Sequence, residues 1–295
     1  MGLHRSGTSI LYKMLGETGK FNILTTYHVY DYDRLIYNHI KKIEDERKKN
    51  LNDLFKSKGI TNRKLDNIQV TADYAYEYVY IFSKKNFTEK INDSNSWLFE
   101  EFCKKISYIS DNKKPILLKN PYDYANFLYI KKKYPNAKFI FINRNPLSTI
   151  DSNMRGWRTL MKEKNEYTAI FSKSYTKIFS NPLLLFLTRA FYSWTPFGLL
   201  KVIRTCSAGT KYFLKNKNLL SDGDFISIKY EDLCKEPNKI IGDILKFLDL
   251  NSDIDFTKFI KPRNLKFGSD VDFFKKYIYS KMKPYFEYFK YTFEK

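Results

Sequence analysis

The sequence predicts an α/β fold: an open parallel sheet flanked by helices, in three layers. Three observations predict it. A glycine-bearing loop at the start of the chain, Gly2-Leu3-His4-Arg5-Ser6-Gly7-Thr8-Ser9, runs directly into a segment of helical period. Two short apolar runs, 115–119 and 137–142, flank a helical segment and form a strand–helix–strand unit. Neither run alternates apolar with polar residues, as expected where helices cover both faces of a parallel sheet. A third apolar run at 225–228 leads into another helix. Ligands of open α/β sheets lie at the carboxyl ends of the strands, so the residues that follow each run are the candidates for chemistry.

Taken in order, residues 7–17 place Ile10, Leu11, Met14 and Leu15 on one helical face, and a short apolar run follows at 21–24. Residues 31–58 read as one charged surface helix with KKIEDERKK at its centre, a solvated face carrying i,i+4 pairs. Between the first two strands, 122–134 carries Tyr124, Phe127, Leu128 and Ile130 at helical spacing. Residues 182–203 are long enough to span a bilayer but hold Arg189, Pro196 and Lys201. Charge inside a spanning helix is costly, so a buried or interfacial helix is expected. The helix at 237–248 has the stripe Ile240, Ile241, Ile244, Leu245 and Leu248, and 271–293 is helical and rich in Phe and Tyr. With no repeat and no Gly, Ser or Pro linker, 1–295 reads as a single domain.

Composition excludes several classes. Of 295 residues 43% are hydrophobic and 18% aromatic, enough to offset the entropy of ordering, so a disordered chain is excluded. Three widely spaced cysteines and three histidines exclude a disulfide scaffold and argue against a structural zinc site. The net charge of +20 is discounted, because 42 of the 52 basic residues are lysine and Asn, Ile, Tyr and Phe are abundant, the profile an AT-rich coding sequence gives. The remaining excess favours anionic partners: phosphate or sulfate groups, nucleic acid, or an acidic membrane surface as a peripheral contact. Lysine is scattered along the whole length, so no specific nucleic-acid partner is expected, and nothing in the pattern points to an oligomeric state. The opening MGLHRSGTS lacks the apolar core of a secretory signal, which leads to the expectation of a cytoplasmic protein.

The amino-terminal loop nearly fits the Walker A pattern, with Gly2, Gly7 and Ser9 in place but Thr8 at the lysine position. A tight loop entering a helix aims several N–H groups at one spot, where the helix dipole adds positive potential. Arg5 could supply the charge that the lysine would have brought. A second cluster follows the strand at 137–142. Arg144 lies at its carboxyl end and Ser152 eight residues on, about two turns into the next helix; the arginine fork suits phosphate. Tyr230-Glu231-Asp232-Leu233 follows the strand at 225–228 in the same manner.

This combination resembles the sulfotransferase family, which takes a sulfuryl group from 3′-phosphoadenosine 5′-phosphosulfate (PAPS). GLHRSGTS resembles its 5′-phosphosulfate loop and FINRNPLSTIDS its 3′-phosphate element. ILLKNPYDYANFLYIKKKYPNAKFIFINRNP is similar to its central strand–helix–strand, and ISIKYEDLCKEPNKIIGDILKFLDL to its late strand–helix signature. The resemblance implies a P-loop NTPase-like fold, with 31–112 and 154–224 as acceptor-side insertions. It implies that Arg5 neutralises the leaving phosphate and that Ser6, Gly7, Thr8 and Ser9 bind the 5′ end. Arg144 and Ser152 would hold the 3′-phosphate, Tyr230 would lie near the adenine, and Lys119 would lie near the sulfuryl group. PAPS is the implied co-substrate, with no metal, and the implied acceptor is a hydroxyl or amine on a small molecule, glycan or lipid.

A cytosolic branch of the family has a catalytic histidine two residues after that lysine; here the position is Pro121. His28, about twenty residues after the loop, is the expected base, with Asp31, Asp33 and Asp73 behind it, because an imidazole takes a hydroxyl proton near neutral pH. His4 is expected to orient the loop and His39 to lie on the surface. Arg263, in the basic run KPRNLKFG, matches a family segment that closes over the nucleotide. The family also places a full strand before the loop, whereas only Met1 precedes Gly2 here, so the fold is expected without its first strand. The competing readings are a P-loop nucleotide or small-molecule kinase, which the absent lysine disfavours, and a basic, non-enzymatic protein that binds nucleic acid or membrane.

Overall fold

A computed structural model describes residues 1–65, 69–260 and 267–293. Its principal elements are α1 (Thr8–Glu17), β1 (Asn22–Ile23), α2 (Glu44–Ser57), α3 (Ser96–Ile109), β2 (Ile116–Leu117), α4 (Phe127–Lys133), β3 (Phe139–Asn143), α5 (Pro146–Lys162), α6 (Lys173–Ser180), α7 (Pro182–Arg189), α8 (Phe197–Asn216), β4 (Phe225–Lys229), α9 (Tyr230–Lys235), α10 (Pro237–Phe247) and α11 (Lys275–Tyr288). They form two compact units, one of Met1–Met14, Pro121–Arg158 and Arg189–Lys295, the other of Leu15–Asn120 and Thr159–Thr188.

The first unit is built on the parallel pair β3–β4, in register from Phe139 opposite Phe225 to Asn143 opposite Lys229. Phe139 and Phe141 are buried, and Phe141 meets Phe127 and Phe213 at centroid distances of 5.1 and 5.0 Å. A second apolar cluster joins Ile150 and Met154 of α5, Ile203 and Cys206 of α8, and Ile278 and Met282 of α11. Asn143, at the end of β3, ties the core together. Its Oδ1 accepts from the Tyr124 and Tyr285 hydroxyls at 3.2 and 2.9 Å, and its Nδ2 donates to Ser227 Oγ at 2.9 Å. The edge of β3 that faces away from β4 pairs with Met1. The Met1 amino group donates to Ile140 O at 2.5 Å, and the Ile142 N–H donates to Met1 O at 2.8 Å.

The second unit holds the parallel pair β1–β2, two residues long, with Asn22 opposite Ile116. Its core is aromatic: Tyr27, Phe55, Tyr76, Phe82 and Phe102 are all buried. The α/β class and the parallel pairing match the expectation, but the sheet is divided, with a two-stranded ladder in each unit.

Two helical expectations are corrected. Residues 31–58 do not form one helix. A 3₁₀ turn at Tyr32–Arg34 and a short helix at Leu35–Ile40 precede α2, and Lys42 takes a left-handed φ of +56° at the break. Arg47 of α2 clamps Asp31 through two bonds of 2.7 and 2.8 Å, so the segment folds back on itself. Residues 182–203 also divide. A π-helical turn at Ala190–Trp194 follows α7, and the chain turns at Thr195 before Pro196, which cannot donate the N–H that a continuous helix needs. No residue of α7 is buried. Among the described residues no single helix is long and apolar enough to cross a membrane.

Candidate anion-binding site

In the first unit the glycine loop folds under steric compulsion. A Cβ on Gly2 would lie 2.6 Å from Ser6 Oγ and 2.7 Å from Ile142 O. Gly7 has φ +101°, and a Cβ there would lie 2.3 Å from Tyr230 Cδ2. Arg5 also takes a left-handed φ, +69°. The Ser6 N–H and hydroxyl both donate to Leu3 O, at 3.1 and 2.8 Å, which closes the turn. Thr8 and Ser9 then open α1, whose first N–H groups have no partner within the helix and so favour an anion.

The second cluster lies against this loop. Arg144 directly follows β3, and its NH1 donates to Arg5 O at 2.9 Å. Its guanidinium carbon sits 4.4 Å from the centroid of the Tyr230 ring, a cation–π contact, and its buried Nε has no hydrogen bond among the described residues. Arg5 Nε in turn donates to Ser152 Oγ at 3.1 Å. Ser152 is buried on α5, whose start is held by the Leu147 N–H on Asn145 Oδ1 and by the Asn145 N–H on Glu231 Oε1, at 2.9 and 3.0 Å. The structure therefore brings together Arg5, Ser6, Gly7, Thr8, Arg144, Ser152 and Tyr230, with Ser9 in the adjoining turn. Two arginines, several N–H groups and a buried hydroxyl give this cluster a chemistry that suits a phosphate-like anion. Asp151, beside Ser152, was not singled out by sequence. It pairs with Arg155 and accepts the Gly268 N–H at 2.8 Å. Arg263 lies outside the described residues.

The other two residues expected to act in catalysis belong to the second unit. Lys119 is buried with its Nζ 2.5 Å from Glu77 Oε1, itself buried. Sequence reading passed over Glu77, because it sits inside the aromatic run 74–80 and no spacing marks its carboxylate. His28 is buried at the third position of a short helix and completes a capping box with Thr25: the His28 N–H donates to Thr25 Oγ1, and the Thr25 N–H donates to His28 Nδ1 at 3.1 Å. Burial first, then the nearby Lys48 ammonium, pull its pKa down to about 4, so the ring is neutral near pH 7. The carboxylates ranked behind it are all paired: Asp31 with Arg47, Asp33 with Lys85 and Asp73 with Lys48. His4 packs edge-on against Tyr122 at 4.5 Å, and His39 lies 3.3 Å from Glu44. Among the described residues no group of three or more His, Cys, Asp or Glu is placed to hold a metal ion.

Comparison with known proteins gives three findings. A profile described as "Sulfotransferase family" matches residues 1–181. No protein with a curated description matches the chain. Among solved structures, the sulfotransferase STF9 from Mycobacterium avium superposes with a TM-score of 0.64 at 14% identity, over 97% of this chain and 75% of that one. A sulfotransferase from Alicyclobacillus acidocaldarius gives a TM-score of 0.40 at 13% identity, over 72% of this chain and 82% of its own.

Proposed function

Since the chain belongs to the sulfotransferase family, enzymes that transfer sulfuryl groups, we propose that its donor is PAPS and its acceptor a hydroxyl or amine on a small molecule, glycan or lipid. The observation that carries the donor assignment is the direct linkage of two cationic elements, Arg5 to Ser152 and Arg144 to the Arg5 carbonyl. A molecule with phosphate groups at both ends of one nucleoside suits such a pair. In this reading the loop N–H groups and Arg5 take the 5′ end, Arg144 and Ser152 the 3′-phosphate, and Tyr230 the nucleoside side.

The reaction is an in-line displacement. The acceptor oxygen or nitrogen forms a bond to sulfur as the bond from sulfur to the bridging oxygen breaks. The electron pair goes to that oxygen, which leaves on adenosine 3′,5′-bisphosphate. Arg5 and the loop N–H groups stabilise the developing charge by position and electrostatics. The acceptor gives up its proton as the new bond forms; within the second unit the Nδ1 lone pair of His28 is committed to the Thr25 N–H.

Thermal-shift titration with adenosine 3′,5′-bisphosphate against ATP, each with and without magnesium, tests the donor. Stabilisation by the bisphosphate is expected without metal and should be largely lost in Arg144→Ala. An equal response to ATP, or a strict magnesium requirement, would turn the assignment toward the kinase class, against which Thr8 at the lysine position already speaks.

A further inference from the structure

We propose that α7 is an in-plane anchor that seats this protein on anionic lipid bilayers. The helix reads PLLLFLTR, and none of its residues is buried. Leu183, Phe186 and Leu187 are 67, 55 and 53% exposed. Their i, i+3, i+4 spacing puts them on one face. A helix of this apolarity in a soluble unit ordinarily turns such a face inward; here it faces outward.

Charge identifies the surface that it fits. Between Glu166 and the end of α7 the chain carries Lys173, Lys177 and Arg189 and no aspartate or glutamate. Helix α6, just before α7 in the same unit, exposes Lys173 and Lys177, and Arg189 closes α7. An apolar face set in a run of cations without anions complements an interface that is negative outside and apolar beneath, which is an acidic lipid surface. A second copy of this chain would instead bring cations against cations. At eight residues α7 is far too short to span a bilayer, so it would lie in the plane of the headgroups. The proposal stands apart from the donor assignment, because it uses none of the anion-site residues.

The test is co-sedimentation of the full chain with vesicles of phosphatidylcholine alone and with about a third phosphatidylserine. Binding is expected to the mixed vesicles, weakening as salt rises, and to be far weaker on neutral ones. The triple variant Leu183→Ser, Phe186→Ser, Leu187→Ser should lose about tenfold or more in partitioning while keeping its response to the bisphosphate. Should that variant fail to fold, the pair Lys173→Glu, Lys177→Glu carries the test, with a loss of about tenfold or more on the acidic vesicles. The proposal is overturned if the parent binds neither vesicle, if it binds both equally, or if the variants bind as the parent does. It is overturned in favour of self-association if the parent forms concentration-dependent dimers that the triple variant abolishes and no lipid is bound.

Discussion

Replacing Gly7 with alanine puts a methyl carbon where the ring of Tyr230 stands. The added Cβ would lie 2.3 Å from Cδ2 and 2.8 Å from Cε2 of that ring, and 3.2 Å from Ile142 Cδ1. Two costs follow. Holding a residue with a side chain at φ +101° costs roughly 1–3 kcal/mol, and forcing Tyr230 aside costs a further 1–3 kcal/mol or so, as in other overpacked sites. The expected loss is therefore about 2–6 kcal/mol. Displacing Tyr230 also removes the ring beneath the Arg144 guanidinium, so bisphosphate binding should fall with stability. The assay is urea unfolding of the parent, Gly7→Ala, Tyr230→Ala and the double variant. Removing the ring relieves the clash but not the backbone strain, so the cycle should show a coupling of about 1–3 kcal/mol. A Gly7→Ala variant within about 0.5 kcal/mol of the parent, or a cycle without coupling, would refute the account of the loop.

Further expectations concern the second unit and the core. Glu77→Gln leaves the Lys119 ammonium buried opposite a neutral amide, so a loss of about 3–5 kcal/mol is expected in urea melts, much of it recovered by adding Lys119→Met. His28 sets a pH dependence. Above pH 6.5 the ring is neutral in both states; as pH falls the unfolded chain takes up the proton near 6.5 and the folded chain near 4, so stability drops across that window by about 3 kcal/mol. Because Gln also accepts at the third helical position, His28→Gln should keep the capping bond and lack this part of the slope when the two melts are compared. Asn143→Ala strips the acceptor from the buried Tyr124 and Tyr285 hydroxyls and should cost about 2–4 kcal/mol by the same measurement, whereas loss below about 1 kcal/mol would mean those hydroxyls are satisfied elsewhere.

What could be read in advance was local. The strands at 137–142 and 225–228 announce themselves through unbroken apolar residues, and the helix at 237–248 through its stripe. The glycine loop was legible because Gly2, Gly7 and the following helix occur within a few residues. The bond from Arg5 to Ser152 spans 147 positions, so no local pattern encodes its geometry. Glu77 was hidden for the same reason: its partner Lys119 is 42 residues away. The capping box of His28 was within reach, since Thr25 stands three residues before it, but histidine in place of Glu or Gln disguised the motif. The break at Lys42 carries no Gly or Pro to mark it, whereas Pro196 stands at the division of 182–203, a segment expected as one helix.

Arg5 lends its carbonyl to Arg144 and its side chain to Ser152 at the same time. Substitutions at the three positions should consequently show strong epistasis, since each removes contacts on which the others depend. Single-site scans would then overstate every member in turn, and viable change at this cluster would have to be concerted across the trio, with isolated drift at any one of them penalised.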